Sequence, residues 1–241
     1  MRLFLCLAVL LVGVAQAQER QPGQDVNFYS RDKELALGQQ LASSFGRQTT
    51  PLDVADVSEY VKRVGSNLAA HFPGDWTYRI EVVREDRGGP THEPVAFPGG
   101  PIFVSLDLLK TAQSESEFAG MLAHAMAHVA SRHATRLATK TELAGTDPSA
   151  AAPMGMLAFR RSTEREADYW AVKAMAAAGY DPAALASYIA RVQISPRQGS
   201  VFETLPPREE RVHAIETEFR QLPAATYPTG DEFARIQSEI K

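Results

Sequence analysis

Two histidines stand four positions apart in the segment His124-Ala125-Met126-Ala127-His128. On a helix, residues i and i+4 lie on the same face, so both imidazoles can reach one metal ion. The related motif H-E-x-x-H carries a glutamate after the first histidine, and that glutamate is the general base in metal-assisted hydrolysis. Ala125 occupies this position here. The pattern therefore predicts a metal site without its catalytic base.

A later acidic segment can supply the third ligand that two histidines alone do not provide. Glu164 and Asp168 are spaced four residues apart at the start of an apolar helical pattern. Glu164 can bind the metal, since zinc sites with two histidines often add a carboxylate. Asp168, one turn further on, can accept a hydrogen bond from the outer nitrogen of a ligating histidine. A solvated acidic helix face is the alternative interpretation of these two residues taken alone.

The N-terminus has the pattern of a secretory signal. A short positive start is followed by an apolar run over residues 3–14 and by the small-residue motif Ala15-Gln16-Ala17. Because this run is short for a membrane span, we predict a signal peptide over residues 1–17, cleaved after Ala17; a retained anchor is the alternative. No transmembrane segment is expected in the mature chain. The only cysteine, Cys6, lies in the signal, so any metal must be held by His, Asp or Glu.

Composition and charge narrow the range of partners. The formal charge is −4 and there are no basic clusters, so we expect no nucleic-acid partner.

The periodicity of apolar residues predicts an α+β fold, mostly helical, with a small sheet beside the motif helix. A capping pattern at Ser114 and Glu117 starts that helix, which we expect to continue to about Thr139. The other predicted elements are helices over 32–45, 52–70, 164–178 and 209–221, a helix opened by Asp181-Pro182, and strands at 77–83 and 102–104.

Several segments, in this order, resemble the M48 family of zinc metallopeptidases, the HtpX- and BepA-like gluzincins. They read KELALGQQLA, EYVKRVGSNLA, VAFPGGPIFVSLDLL, SESEFAGMLAHAMAHVASRHA, EREADYWAVKAMAAAGYDP and LPPREERVHAIE. Together they span roughly residues 32 to 217. The resemblance implies a zincin-like metallopeptidase domain, which we place at residues 31–222, after a polar leader at 18–30 and before a C-terminal tail at 223–241.

Carried over position by position, the resemblance makes His124, His128 and Glu164 the ligands of a single zinc ion, with Asp168 behind a ligating histidine. It implies that the strand after the Pro-Gly-Gly turn forms the wall of the substrate cleft and can pair with an extended peptide. The residues of that wall are Ile102, Phe103, Val104 and Ser105. His133 follows His128 by five residues, about 140° around a continuous helix, and is therefore expected to point away from the metal.

Two departures from the family pattern affect positions that would take part in catalysis. Ala125 replaces the catalytic glutamate, and Leu205 stands where many relatives have a histidine that can approach the zinc. Arg211 matches an arginine that those relatives keep. Glu117 lies eight positions before Ala125, about 12 Å along a helix, too far to act as a substitute base. No catalytic residue is therefore assigned.

Three functions remain open on the sequence. The first is a periplasmic or secreted protein that binds zinc and peptides, or unfolded or envelope proteins, with strongly reduced or absent proteolysis. The second is an active zinc metalloendopeptidase in envelope protein quality control. The third is a structural helper with an empty, vestigial metal site. Two measurements separate these possibilities. One is the metal content of the protein, and the other is a comparison of its proteolytic activity with that of Ala125→Glu.

Overall fold

The computed structural model describes residues 26–85, 92–145, 154–193 and 205–240. The predicted signal peptide and residues 18–25 of the predicted leader lie outside these ranges. The elements in chain order are α1 (Arg31–Gly46), β1 (Thr49–Pro51), α2 (Ala55–Ala69), β2 (Arg79–Glu85), β3 (Val95–Ala96), β4 (Pro101–Ser105), α3 (Leu106–Thr111), α4 (Glu115–Ala130), α5 (His133–Ala144), α6 (Met154–Ala178), α7 (Ala183–Val192), α8 (Arg208–Phe219) and α9 (Glu232–Glu239).

Helix α4, which carries both motif histidines, lies at the centre of the fold. Its start follows the predicted cap, because the Ser114 hydroxyl accepts a hydrogen bond from the Glu117 backbone N–H at 3.1 Å. Apolar side chains occur on every side of α4, as expected for a helix enclosed by others. It contacts α2, α6 and α7, and it contacts the sheet through β3 and β4. The predicted α+β class, with a small sheet beside the motif helix, is confirmed.

The sheet has the strand order β1-β2-β4-β3, which places β4, the strand of the predicted substrate wall, between two other strands. Strand β4 pairs in parallel with β2 on one side and antiparallel with β3 on the other. Since β4 is an interior strand, a peptide cannot be added at the register where β3 already pairs with it. All four predicted wall residues are buried: Ile102, Phe103, Val104 and Ser105. The accessible edge next to α4 is β3, the two-residue strand before the Pro-Gly-Gly turn.

The predicted motif helix is also interrupted. Helix α4 ends at Ala130, and Arg132 adopts a left-handed backbone conformation, with φ 56° and ψ 34°, before α5 begins. This conformation is unfavourable for a residue with a side chain, at about 1–2 kcal/mol. Tertiary contacts stabilise it, because the Arg132 guanidinium donates to the Glu34 carboxylate and to the Tyr29 carbonyl, both at 2.5 Å. The continuous helix to Thr139 was therefore a wrong prediction.

The C-terminal segment contributes to the core beyond the predicted boundary at residue 222. Helix α9 buries Phe233 and Ile236. The Phe233 ring lies 6.1 Å from the rings of both Tyr60 on α2 and Phe118 on α4. Residues 223–241 therefore include a helix that packs on the domain.

None of the helices within the described ranges has the length and apolar composition that a membrane span requires.

Helix α1 approaches the Pro-Gly-Gly turn so closely that only glycine fits at one contact. A Cβ added to Gly38 would overlap the carbonyl group of Pro98, which is backbone and cannot rotate away. We expect Gly38→Ala to destabilise the protein by about 1–3 kcal/mol, lowering the melting temperature by roughly 5 °C. Gly46→Ala, on the same helix with no atom within 4 Å of the new Cβ, is the control. Equal melting temperatures for the two variants would contradict this contact.

Candidate metal centre

The structure brings the three predicted ligands to one point between α4 and α6. The His124 Nε2 and His128 Nε2 atoms are 3.0 Å apart, and Glu164 oxygens lie 3.4 Å and 3.7 Å from them. Zinc bonds of about 2.0–2.1 Å in a tetrahedron separate neighbouring ligand atoms by about 3.3 Å. The observed separations therefore fit a tetrahedral metal site with three protein ligands, a geometry that leaves a fourth position for water or substrate.

His124 is oriented by a buried carboxylate and a buried arginine. Its Nδ1 lies 2.8 Å from Asp168 Oδ1, which leaves Nε2 facing Glu164 and His128. Arg211 donates to both Asp168 oxygens, at 2.6 Å and 2.9 Å, and its side chain is completely buried. Asp168 thus has the position that the sequence predicts for it. Arg211 lies on α8.

The electrostatics of these groups favour a bound cation. Burial and Arg211 oppose a charge on His124, but Asp168 and Glu164 outweigh them and raise the pKa of His124 to about 9. Burial raises the pKa of Glu164, whereas the facing His128 and His124 hold it well below its usual range. A metal ion would displace the proton on His124 and take over the attraction of the carboxylates. The residues present therefore fit the zinc ion that the family uses.

His133 lies beside His128, contrary to the expectation from a continuous helix. Because the chain breaks at Arg132, the His133 ring folds back and its Nδ1 lies 2.9 Å from the Nδ1 of His128. Burial lowers the pKa of His133 to about 4, so the ring is neutral at neutral pH. The sequence contains no local signal for this contact, since the turn is made by an arginine rather than by a glycine.

A cleft of about 240 Å³ opens onto the metal site. Besides the ligands, its lining includes Ala96 of β3 and Ala125 of α4. Among the described residues, its lining carboxylates besides Glu164 are Glu34 and Glu93. Glu34 is fully buried and bound to Arg132, whereas the Glu93 side chain is 40% exposed and lies 3.7 Å from Arg211. Glu93 sits in a loop without a motif of its own, so no pattern in the sequence indicates it.

The two departures from the family pattern fall in different surroundings. Ala125 lines the cleft beside His124, where it contributes only a methyl group. Leu205 is half-buried at the start of the segment leading to α8, and is not among the described residues that line the cleft. The structure therefore places Ala125, and not Leu205, in the cleft lining beside the candidate ligands.

Comparison with known proteins agrees with this geometry. The sequence profile of peptidase family M48 matches residues 51–146 and 143–219. A candidate beta-barrel assembly-enhancing protease of Vibrio cholerae is 28% identical over 221 residues, which is 80% of this chain and 45% of that protein. The beta-barrel assembly-enhancing protease of Escherichia coli K12 is 23% identical, with 85% of this chain and 48% of that protein covered.

A eukaryotic relative is likewise matched over about half of its own length. The mitochondrial metalloendopeptidase OMA1 of Schizosaccharomyces pombe is 28% identical over 179 residues, covering 66% of this chain and 51% of its own length. The chain spans about half the length of the curated relatives it matches. The family profile covers both the histidine helix and the segment with Glu164, Asp168 and Arg211. This chain therefore belongs to peptidase family M48.

Proposed function

We propose that this protein is a zinc-binding M48 domain that holds extended peptide segments in its cleft and hydrolyses them poorly or not at all. The observation that carries the proposal is a group of three residues that could hold a metal ion, with Ala125 directly after the first of them. A bound zinc ion would polarise a peptide carbonyl and lower the pKa of a water. The missing base costs on the order of 10²–10⁴ in rate, or about 3–5 kcal/mol of barrier.

The edge of β3 is the part of the cleft that suits an extended peptide. The Phe97 N–H donates to the Pro101 carbonyl at 2.8 Å, and Ala96 is the register partner of Ile102. Hydrogen-bonded and non-hydrogen-bonded pairs alternate in an antiparallel ladder, so the N–H and C=O of Ala96 face away from β4. Ala96 also lines the cleft, so these backbone groups are available to a peptide strand there.

Metal content tests the zinc part of the proposal. The full chain, expressed without added metal, should contain about one zinc ion per molecule by mass spectrometry of the metal. His128→Ala should lose most of this zinc, because two protein ligands remain. His213→Ala is the control, since His213 is exposed on α8 and is not one of the grouped ligands. A purified chain with no zinc, and no uptake on addition, would refute the proposal.

Peptide binding tests the strand-addition part. The probe is a fluorescein-labelled casein fragment with one backbone nitrogen methylated at a time, and binding to the zinc-loaded chain is measured by anisotropy. Methylation should weaken binding at alternate residues only, because successive N–H groups of a strand point in opposite directions. Equal effects at every position, or no binding of the unmethylated probe, would refute binding at the β3 edge.

An active peptidase is the second candidate, and Glu93 is the observation that favours it. Glu93 lines the cleft with a carboxylate that is neither a ligand nor fully buried. If it activates water in place of the missing glutamate, Glu93→Gln should lower the zinc-dependent hydrolysis of casein by about 10²-fold or more. Unchanged hydrolysis in Glu93→Gln would exclude this role. Glu59→Gln, on the remote helix α2, is the control.

Localisation and partners follow from the N-terminal pattern and from the relatives. We propose a periplasmic or secreted protein whose signal is removed after Ala17. The bacterial relatives are named for enhancing beta-barrel assembly, which supports unfolded envelope proteins as the peptide source. N-terminal sequencing of the protein from the periplasmic fraction should begin at Gln18. A mature chain that retains residues 1–17 would contradict cleavage.

A further inference from the structure

We infer that His133 is a positioning residue that fixes His128 in its metal-binding tautomer, with Glu166 fixing His133 in turn. The inference rests on the zinc-binding part of the proposed function and adds residues outside the ligand set. It concerns the outer side of the second histidine, for which the sequence suggested no partner.

The proton positions follow from the geometry of the two rings. A histidine that binds metal through Nε2 carries its proton on Nδ1. The His128 Nδ1 lies 2.9 Å from the His133 Nδ1, so only one of these two atoms can carry a proton between them. If His128 donates, its Nε2 is free for the metal. If His133 donates instead, neutral His128 carries its proton on Nε2, which points at Glu164 and blocks the site.

Glu166 decides between these two arrangements. The His133 Nε2 lies 3.3 Å from the Glu166 Oε2, a close contact rather than an aligned hydrogen bond. Glu166 is held there by Arg136, whose guanidinium donates to the same oxygen at 3.1 Å. A carboxylate favours a proton on the nitrogen that faces it, so His133 keeps its proton on Nε2 and presents Nδ1 as an acceptor. His128 must then donate.

The backbone break makes this contact possible. On a continuous helix, His133 would lie about 140° from His128. The left-handed Arg132, anchored to Glu34, redirects the chain so that the His133 ring meets the outer edge of the His128 ring, with ring centres 4.8 Å apart. His133 is almost completely buried, so water does not compete freely for the contact.

The two ligating histidines are thus oriented by two separate sets of contacts. His124 is oriented directly by Asp168, with Arg211 behind that carboxylate. His128 is oriented through His133, with Glu166 behind. Both carboxylates, Glu166 and Asp168, lie on α6 shortly after Glu164, so this one helix supplies the third ligand and supports the other two. Outer partners of this kind typically account for 10–100-fold in metal affinity.

The hydrogen bond itself can be observed in the zinc-loaded full chain. Nuclear magnetic resonance of 15N-labelled protein should show a scalar coupling across the N–H···N bond between His128 Nδ1 and His133 Nδ1, with the proton on His128. A proton on the His133 Nδ1, or a His128 Nδ1–H that exchanges freely with water and shows no coupling, would overturn the inference even if the protein folds and binds zinc normally.

Zinc affinity, measured by competition with a chromophoric chelator, gives the second readout. His133→Phe keeps an aromatic ring but removes the acceptor, and should weaken zinc binding about 10–100-fold. His133→Asn offers an amide oxygen near the position of Nδ1 and should restore part of this loss. Glu166→Gln should weaken binding in the same direction by a smaller factor. His213→Phe, on the exposed face of α8, is the control and should bind like the unchanged chain.

The outcomes separate this inference from the proposed function. A chain that binds no zinc refutes the proposed function. A chain that binds zinc, with His133→Phe and Glu166→Gln binding as tightly as His213→Phe, refutes the inference alone. If His133→Phe does not fold, the coupling in the unchanged chain and the affinity of Glu166→Gln, whose side chain is partly exposed, decide the matter.

Discussion

Ala125→Glu should raise the rate of casein hydrolysis by the zinc-loaded protein roughly 10²–10⁴-fold, which corresponds to about 3–5 kcal/mol of barrier. Ala125 lies on α4 directly after His124 and lines the cleft, so a carboxylate at this position is carried by the same helix as the ligands. The two histidines should keep their geometry, because His124 is held by Asp168 and His128 by His133, contacts that do not involve residue 125. Hydrolysis is measured by release of labelled fragments, with and without a chelator.

Ala125→Gln is the matched control, since it has nearly the same size as glutamate but cannot accept a proton at neutral pH. It should fold and bind zinc like Ala125→Glu while leaving the hydrolysis rate near that of the unchanged chain. Fast, chelator-sensitive hydrolysis by the unchanged chain would refute the proposal of impaired catalysis and would direct attention to Glu93. Equal gains for glutamate and glutamine would show that space, and not a base, limits the reaction.

Arg211→Met should lower the free energy of unfolding by about 3–5 kcal/mol, because it leaves Asp168 buried without its main counter-charge. Arg211 is fully buried and binds both oxygens of Asp168. For a chain of this size, the loss corresponds to a fall in melting temperature of roughly 6–20 °C. Arg165→Met removes the exposed ion pair with Glu210 and should cost no more than about 1 kcal/mol.

The double variant Asp168→Asn with Arg211→Met makes the test specific to charge. It removes both members of the pair, so no buried charge is left without a partner, and it should be more stable than Arg211→Met alone. Its zinc affinity should nevertheless stay below that of the unchanged chain, because the carboxylate behind His124 is gone. A double variant less stable than Arg211→Met would indicate that lost packing, rather than charge, dominates.

Local patterns predicted the elements that carry the site. Helix α2 and strand β2 lie where apolar periodicity places them, with helix bounds shifted by a few residues. The start of α4 follows from the Ser114 cap, and i, i+4 spacing puts His124 and His128 on one helix face. The structure groups these histidines with Glu164, the third residue that the sequence suggested. Such features depend on neighbours in sequence, and so the sequence contains the information that specifies them.

The tertiary structure determined where these elements meet. The left-handed turn at Arg132 depends on Glu34 and Tyr29, about a hundred residues earlier, so no local signal indicates it. That turn brings His133 to His128, and a helical projection necessarily missed the contact. The interior place of β4 likewise depends on which strand pairs with its second edge. A short strand such as β3 has too few residues for a periodic pattern, although it forms the accessible edge of the cleft.

The sequence by itself determined the chemical inventory of this protein: three residues that could hold a metal ion, a carboxylate that can lie behind one of them, and an alanine directly after the first motif histidine. Only the tertiary structure decided how that inventory is supported, through Arg211 on Asp168, through His133 and Glu166 on His128, and through the β3 edge beside Ala125. The physical reason is the distance along the sequence over which each feature is determined. Helical spacing is fixed within a few residues, whereas a buried charge pair or a strand edge exists only after distant segments have packed together.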